Sequence, residues 1–423
     1  MKRELARLNH VLVPARRSER DRYRRGRVLR RLRHVSWLFA RLSREGRALC
    51  TMASLTLFLG ADVGRSDAYI LPLATLALIV AGLLVSRAYR AGALVSQLSV
   101  PQRVAVGEEL EIGIELHNDG DRELCELRIE PPLLPWDGQF IELPKDVEAL
   151  AGGARQRASA RARFLARGAH HLDPFRVAAL VPLRLAQGPA HETHGASFIV
   201  VPRVARVSLV SAKQNRRHQP GGVAGASRTG DATDLAGVRP YRPGDPLRDL
   251  HARSWARHGS PMVRQYQEEY FTRIGVVVDS DARARTPAHL EAALSLAAGV
   301  IAQLCRGEAL VDVLVTGERA ERLSLGRNIT SLERALDVLA SVEPRPGFAG
   351  DRILGQLAPH LDRLSSVVLV ALDWDDARAA CVRAIEARGV ATVVLVVGDR
   401  AERTPGVTTV PLDAITRGEE LAL

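Results

Sequence analysis

The chain has 423 residues, of which 46% are hydrophobic and 25% charged, proportions that exclude whole-chain disorder and fibrous repeats. Its four cysteines (Cys50, Cys125, Cys305, Cys381) are too few and too scattered for a disulfide framework, and no CxxC pair suggests a structural zinc site. The net charge of +11 is local: residues 1–47 hold 16 Lys+Arg against 4 Asp+Glu, which leaves a near-balanced 43 basic and 44 acidic residues elsewhere.

Within the basic segment 1–47, the stretch 24–47 repeats Val28, Leu32, Val35, Phe39 and Leu42 at spacings of three and four, with arginines between them. This fits a basic amphipathic helix on an anionic membrane surface. A solvated tail whose charges only set topology fits it equally. No reading motif accompanies the charge, so no nucleic-acid partner is expected. Residues 68–86 then run nineteen positions without a charge, the length a helix needs to cross a bilayer core of ~30 Å. A shorter apolar run, 48–61, precedes it, and the connector Asp62–Asp67 carries one Arg and two Asp. Together 48–90 reads as a transmembrane helical hairpin that anchors the chain in the lipid bilayer. The alternative is a buried core helix at 68–86, and 48–61 is short for a span. Arginines flank the pair on both sides (Arg41, Arg44, Arg47, then Arg87 and Arg90). The positive-inside rule therefore places both flanks in the cytoplasm.

From residue 98 the pattern changes. Leu110, Ile112, Ile114 and Leu116 alternate on one face, Asn118-Asp119-Gly120 signals a turn, and Leu124 to Ile129 begins another strand. Further alternation at 174–180 and 197–201 makes 98–205 an antiparallel β-sandwich, immunoglobulin-like in pattern. Residues 206–237, poor in apolar side chains, read as a linker.

The most distinctive segment is 238–266. Pro243-Gly244 is a turn, Asp245 suits an N-cap with Pro246 at the first helical position, and Gly259 suits a helix stop. Arg253 and Arg257 share a helix face, with Arg248 one turn earlier and Tyr241 and Trp255 nearby. The run Tyr241-Arg242-Pro243-Gly244-Asp245, with Arg248, His251 and Ala256-Arg257, resembles the signature of the DUF58 family of bacterial proteins. The family usually has Trp directly after the His or Asp, whereas this chain has Ala252 and a Trp at 255. The resemblance covers roughly 48 to 400. It implies two membrane spans, a β-rich region, the signature and a von Willebrand factor A-like domain. It also implies partnership with a MoxR-type AAA+ ATPase and other von Willebrand A-domain proteins, at the bacterial inner membrane with the bulk of the chain cytoplasmic.

Residues 267–423 agree by pattern. Strands at 274–278, 310–315, 367–372 and 393–397 alternate with helices after Thr286-Pro287, at 330–339 (Thr330 and Glu333 as a capping box) and at 377–388. Such alternation predicts a parallel α/β sheet covered on both faces, with ligands at the carboxyl ends of its strands. Asp279 and Asp373 stand there. In A-like domains that place holds a metal-ion-dependent adhesion site (MIDAS), whose first loop reads Asp-x-Ser-x-Ser. Here it reads Asp279-Ser280-Asp281-Ala282-Arg283, and no Thr occurs in 347–351. One reading is a variant Mg or Mn site built from Asp279, Asp281 and Asp373. The favoured reading is a degenerate site in which Arg283 replaces the ion.

No Gly-x-Ser-x-Gly, HExxH, P-loop or Cys/His pair is present. Asp245, Asp249 and His251 have structural roles available as cap and helix surface. The expected function is therefore non-catalytic and cofactor-free: an anchored interaction or assembly protein in an envelope-related or chaperone-like system. Its signature residues Tyr241, Arg242, Gly244, Asp245, Arg248, His251, Arg253, Trp255 and Arg257 would form the docking surface. A metal-dependent adhesion-type or hydrolytic domain is the alternative.

Overall fold

The computed structural model describes residues 41–59, 69–86, 94–208, 235–266, 273–281, 286–306, 310–315, 322–325, 329–399 and 405–423. The expectations for 1–40, for the connector and for Arg283 fall outside them. The chain divides into two compact units, Met1–Arg203 and Val204–Leu423.

The first unit opens with two mutually packed helices, α1 (Arg44–Leu59) and α2 (Ile70–Val85). The apolar run at 68–86 yields 16 helical residues, about 24 Å at 1.5 Å per residue. Leu55 and Phe58 on α1 and Ile70, Leu71, Leu73 and Leu84 on α2 are exposed. The base of the pair is tied to the β-strands that follow. The Ser43 N–H donates to the Leu185 carbonyl (3.1 Å) and the Gln187 N–H to the Arg41 carbonyl (2.9 Å). Leu42, Ile79 and Leu185 form a small apolar cluster there. Arg128 donates twice to Glu45 (2.6 and 3.1 Å) and Arg47 once to Glu130 (2.9 Å). Gly46 is needed at this junction, since a Cβ would lie 1.9 Å from the Leu185 carbonyl oxygen.

Eleven strands follow: β1 (Leu94–Ser99), β2 (Arg103–Ala105), β3 (Glu109–Asn118), β4 (Leu124–Glu130), β5 (Gly138–Glu142), β6 (Val147–Leu150), β7 (Arg155–Phe164), β8 (Gly168–Leu172), β9 (Arg176–Ala179), β10 (His191–Glu192) and β11 (Ala196–Val201). They form sheets ordered β1-β3-β7-β5, β10-β9-β4-β6 and β2-β11-β8 around one core. Leu110, Ile112, Ile114 and Leu116 all point into it and are at most 1% exposed. The Asn118 side chain holds the expected turn, donating to the Arg122 and Leu150 carbonyls and accepting from Gly120 N–H. One departure from the expected antiparallel module stands out: β2 runs parallel to β11. Pro101 has no N–H to continue the ladder of β1. The chain leaves that sheet, and the Ile199 N–H takes up the Gln102 carbonyl (2.9 Å) instead.

The second unit is a mixed six-stranded sheet. Its strands are β15 (Arg273–Val278), β16 (Leu310–Val315), β17 (Arg322–Leu325), β18 (Ser366–Ala371), β19 (Ala391–Gly398) and β20 (Val407–Pro411), in the order β17-β16-β15-β18-β19-β20. Five strands are parallel, and β17 is an antiparallel edge. Alternation along continuous apolar strands feeds both faces, as expected for a sheet buried on two sides. Ile274, Val276 and Val278 pack with α4 (Pro287–Arg306), α5 (Ile329–Ala340) and α8 (Leu412–Arg417). Val277, Val367 and Leu369 pack with α6 (Gly350–Leu357) and α7 (Asp376–Glu386). Among the described residues one helix, Pro287–Arg306, is long and apolar enough to cross a membrane, and it is 72% buried within this core. Helix α5 begins at Ile329, so Thr330 lies inside it rather than at its cap.

Two strands fall in the stretch read as a linker. β12 (Val207–Ser208) pairs with β21 (Leu421–Ala422), and β13 (Leu235–Pro240) pairs with β14 (Met262–Tyr266).

Candidate functional site

Strand β15 has neighbours β16 on one side and β18 on the other, so the loops that leave β15 and β18 open onto one crevice, the topological switch point of the sheet. Asp279 leaves β15 there, its N–H donating to the Val370 carbonyl at 2.9 Å. Its carboxylate accepts the Asp281 N–H (2.9 Å) and the Leu372 N–H (3.3 Å). Asp281 in turn accepts the Gly347 N–H at 2.7 Å. Both acids are buried, at 1% and 6% exposure.

The cation that meets them comes from α7. Arg378 is 1% exposed. Its Nε and Nη2 donate to Asp279 Oδ2 (2.9 and 2.7 Å), Nη2 reaches Asp281 Oδ2 (3.3 Å), and Nη1 donates to Asp375 Oδ2 (2.6 Å). The guanidinium lies over the Phe348 ring, 4.8 Å from its centroid. The helix start explains the placement. Asp375 is the N-cap, accepting the Arg378 N–H (2.9 Å) with one oxygen and the guanidinium with the other. Burial disfavours the charge, but the field and hydrogen bonds of Asp279, with those of Asp375 and Asp281, outweigh it and hold the Arg378 pKa above its ordinary value. A buried arginine without such partners would cost several kcal/mol.

Of the three acids proposed from sequence as a metal set, the structure brings Asp279 and Asp281 together. Asp373 is half-buried and accepts its neighbour Trp374's N–H (2.9 Å). The third carboxylate on the cation is Asp375. Arginine does enter the crevice, from position 378. A divalent cation wants six or more oxygen ligands. Here carboxylate oxygens of Asp279 and Asp281 already accept guanidinium and backbone N–H groups. Among the described residues no three His, Cys, Asp or Glu side chains converge as a metal-ligand group. The donor set does not fit the ion.

The signature segment has a different architecture from the single helix expected after Asp245. Strands β13 and β14 bracket a turn and the short helix α3 (Ala252–His258). Asp245 closes the turn: it accepts the Arg242 N–H (2.9 Å) and two bonds from the Arg239 guanidinium (2.6 and 2.7 Å). The Arg239 hydrogen bond holds its carboxyl below the usual range. The N-cap of α3 is His251, whose Nδ1 lies 3.3 Å from the Ser254 N–H nitrogen and 2.7 Å from Ser254 Oγ. The chain cannot stay helical from Asp245 because Leu250 is extended, at ψ 129°, and forms a bridge to Val263. Gly259 ends the helix as expected, at φ +67°. No residue of α3 is buried. Arg242, Arg248, Arg253 and Arg257 are exposed, and Trp255 is 43% exposed. Arg242 lies in the field of Asp245, and among the described residues no acidic side chain forms an ion pair with Arg248, Arg253 or Arg257.

Residues 237–423, which contain the switch-point cluster and the whole of the signature, match the model of the family described as "Protein of unknown function DUF58". This part of the chain is a DUF58 region. No curated protein matches the chain. Among solved structures, a similarity of 15% identity and TM-score 0.22 links 27% of this chain to 7% of the alpha-2-macroglobulin of Escherichia coli. Another, of 11% identity and TM-score 0.16, links 69% of it to 60% of a GH20 exo β-N-acetylglucosaminidase from Vibrio harveyi. The chain thus spans less than two thirds of either structure, and at these TM-scores neither carries a fold or functional assignment.

Sequence reasoning missed four participants of the DUF58 region: Asp375, Arg378, Phe348 and Arg239, the partner of Asp245. Asp375 carried a signal, since an Asp ahead of a helical stretch is a standard cap. Arg378 carried none, because an arginine in a first helical turn reads as a solvent residue.

Proposed function

We propose that this DUF58 chain is a non-catalytic, membrane-anchored interaction protein whose signature segment docks onto a MoxR-type AAA+ ATPase in an envelope-related, chaperone-like system. The observation that carries this reading is the α3 face. Arg253 and Arg257, exposed and without acidic partners among the described residues, flank a half-exposed Trp255 in sequence on a helix that buries nothing of its own, and the exposed Arg248 precedes them. Arginine and tryptophan are the residues that interface hot spots favour, and arginine grips carboxylates bidentately. Anchoring is supported by the exposed apolar side chains of α1 and α2 and by the arginines that flank them. The parallel sheet with helices on both faces supports the von Willebrand A-like reading of the C-terminal part. The acid–base candidates of the signature already have structural work: Asp245 pairs with Arg239, and His251 caps α3.

The test is the double substitution Arg253→Glu/Arg257→Glu in the full-length protein. Because neither arginine has an ion-pair partner among the described residues, the melting temperature is expected to stay within about a degree of wild type. Co-purification of the MoxR-type ATPase from membranes is expected to be lost. A folded double variant that retains the ATPase removes the docking reading.

A further inference from the structure

We propose that Arg378 is a built-in cation that does the job a divalent ion performs in A-like domains, so that the crevice binds no metal. Three observations converge. First, the guanidinium bridges carboxylates from the loop after β15 (Asp279, Asp281) and the loop after β18 (Asp375). Joining those two loops is the task the resemblance assigns to an ion. Second, the loop expected to supply a ligating hydroxyl offers the Gly347 N–H to Asp281 and the face of Phe348 to Arg378. An N–H cannot ligate a metal, whereas both groups suit a neutralised carboxylate beneath a planar cation. Third, the acids of the first loop are buried with the cation: Arg378, Asp279 and Asp281 are at most 6% exposed, and the half-exposed Asp375 at the rim is already engaged by the guanidinium. Partner recognition by this domain is then independent of divalent ions.

The experiment uses the full-length protein in detergent and Mn2+ as the probe, read by loss of the free-ion electron paramagnetic resonance signal. The wild type is expected to leave that signal unchanged and to melt identically in EDTA and in millimolar Mg2+. Stoichiometric Mn2+ binding that Asp279→Asn abolishes would overturn the proposal. Arg378→Ser, which leaves three carboxylates without a counter-charge, is expected to melt roughly 10 °C lower in EDTA and to recover in Mn2+. A serine variant as stable as wild type in EDTA would count against the proposal. Where that variant does not accumulate, Arg378→Lys keeps one positive charge. It is expected to fold in EDTA, and a lysine variant that requires Mn2+ to fold defeats the assignment. These readouts do not involve the ATPase, so they stand or fall separately from the docking reading.

Discussion

At the scale of single residues, Glu45 ties the apolar helices to the β-strands through Arg128 and precedes the apolar run at 48–61. The Arg128 hydrogen bond, working against desolvation, holds the Glu45 carboxyl down from 4.5 to about 2. A carboxyl with a depressed folded-state pKa stabilises the fold above its unfolded value, and that contribution is lost as the pH falls through the folded one. The pairing therefore contributes fully above pH 4.5 and fades toward pH 2. Half of the Glu45 side chain is exposed, so the contribution is small. Glu45→Gln is expected to lower the melting temperature slightly near neutrality and to flatten the acid limb of a melting-temperature-against-pH series followed by circular dichroism. A series that parallels wild type across that limb would assign the ion pair no role in the junction.

At the scale of elements, Gly259 shows what local chemistry alone decides. It sits at φ +67°, and a Cβ at this position would meet no atom within 4 Å. Gly259→Ala therefore adds no clash and only forces the left-handed conformation, at a cost of about 1 kcal/mol. Urea titration of the variant checks this, and a loss near zero would mean that α3 frays in the native protein. Elements with a local signal were legible. The alternation of Leu110, Ile112, Ile114 and Leu116 gave β3, the apolar run 274–278 gave β15, and Thr286-Pro287 marked the start of α4. The signature helix was misplaced because Asp245 is a good cap by type, yet its carboxylate is occupied by Arg239, six residues upstream. Arg378 was illegible for a stronger reason: its partner Asp279 lies 99 residues away, and no period or spacing reports a pairing at that separation. Asp281 and Asp279 could be placed in one crevice from the strand pattern, but what neutralises them could not.

At the scale of the whole molecule, the proposed anchoring makes a topological claim. Reporter fusions at Ala91 and after Leu423 are both expected to score as cytoplasmic, because arginines flank the two apolar runs on their outer sides. An exported reporter at either site reverses the orientation. The burial of Asp279 and Asp281 also dictates an order of events during synthesis. Asp279 and Asp281 leave the ribosome well before the residue that neutralises them, and they cannot be buried as charges until it arrives. The centre of the sheet therefore stays unsealed until translation has passed residue 378 and α7 has packed. A nascent chain cut short by a premature stop codon between residues 281 and 378 carries two acids with nowhere to go, and it is expected to be degraded rather than to accumulate as a partial domain.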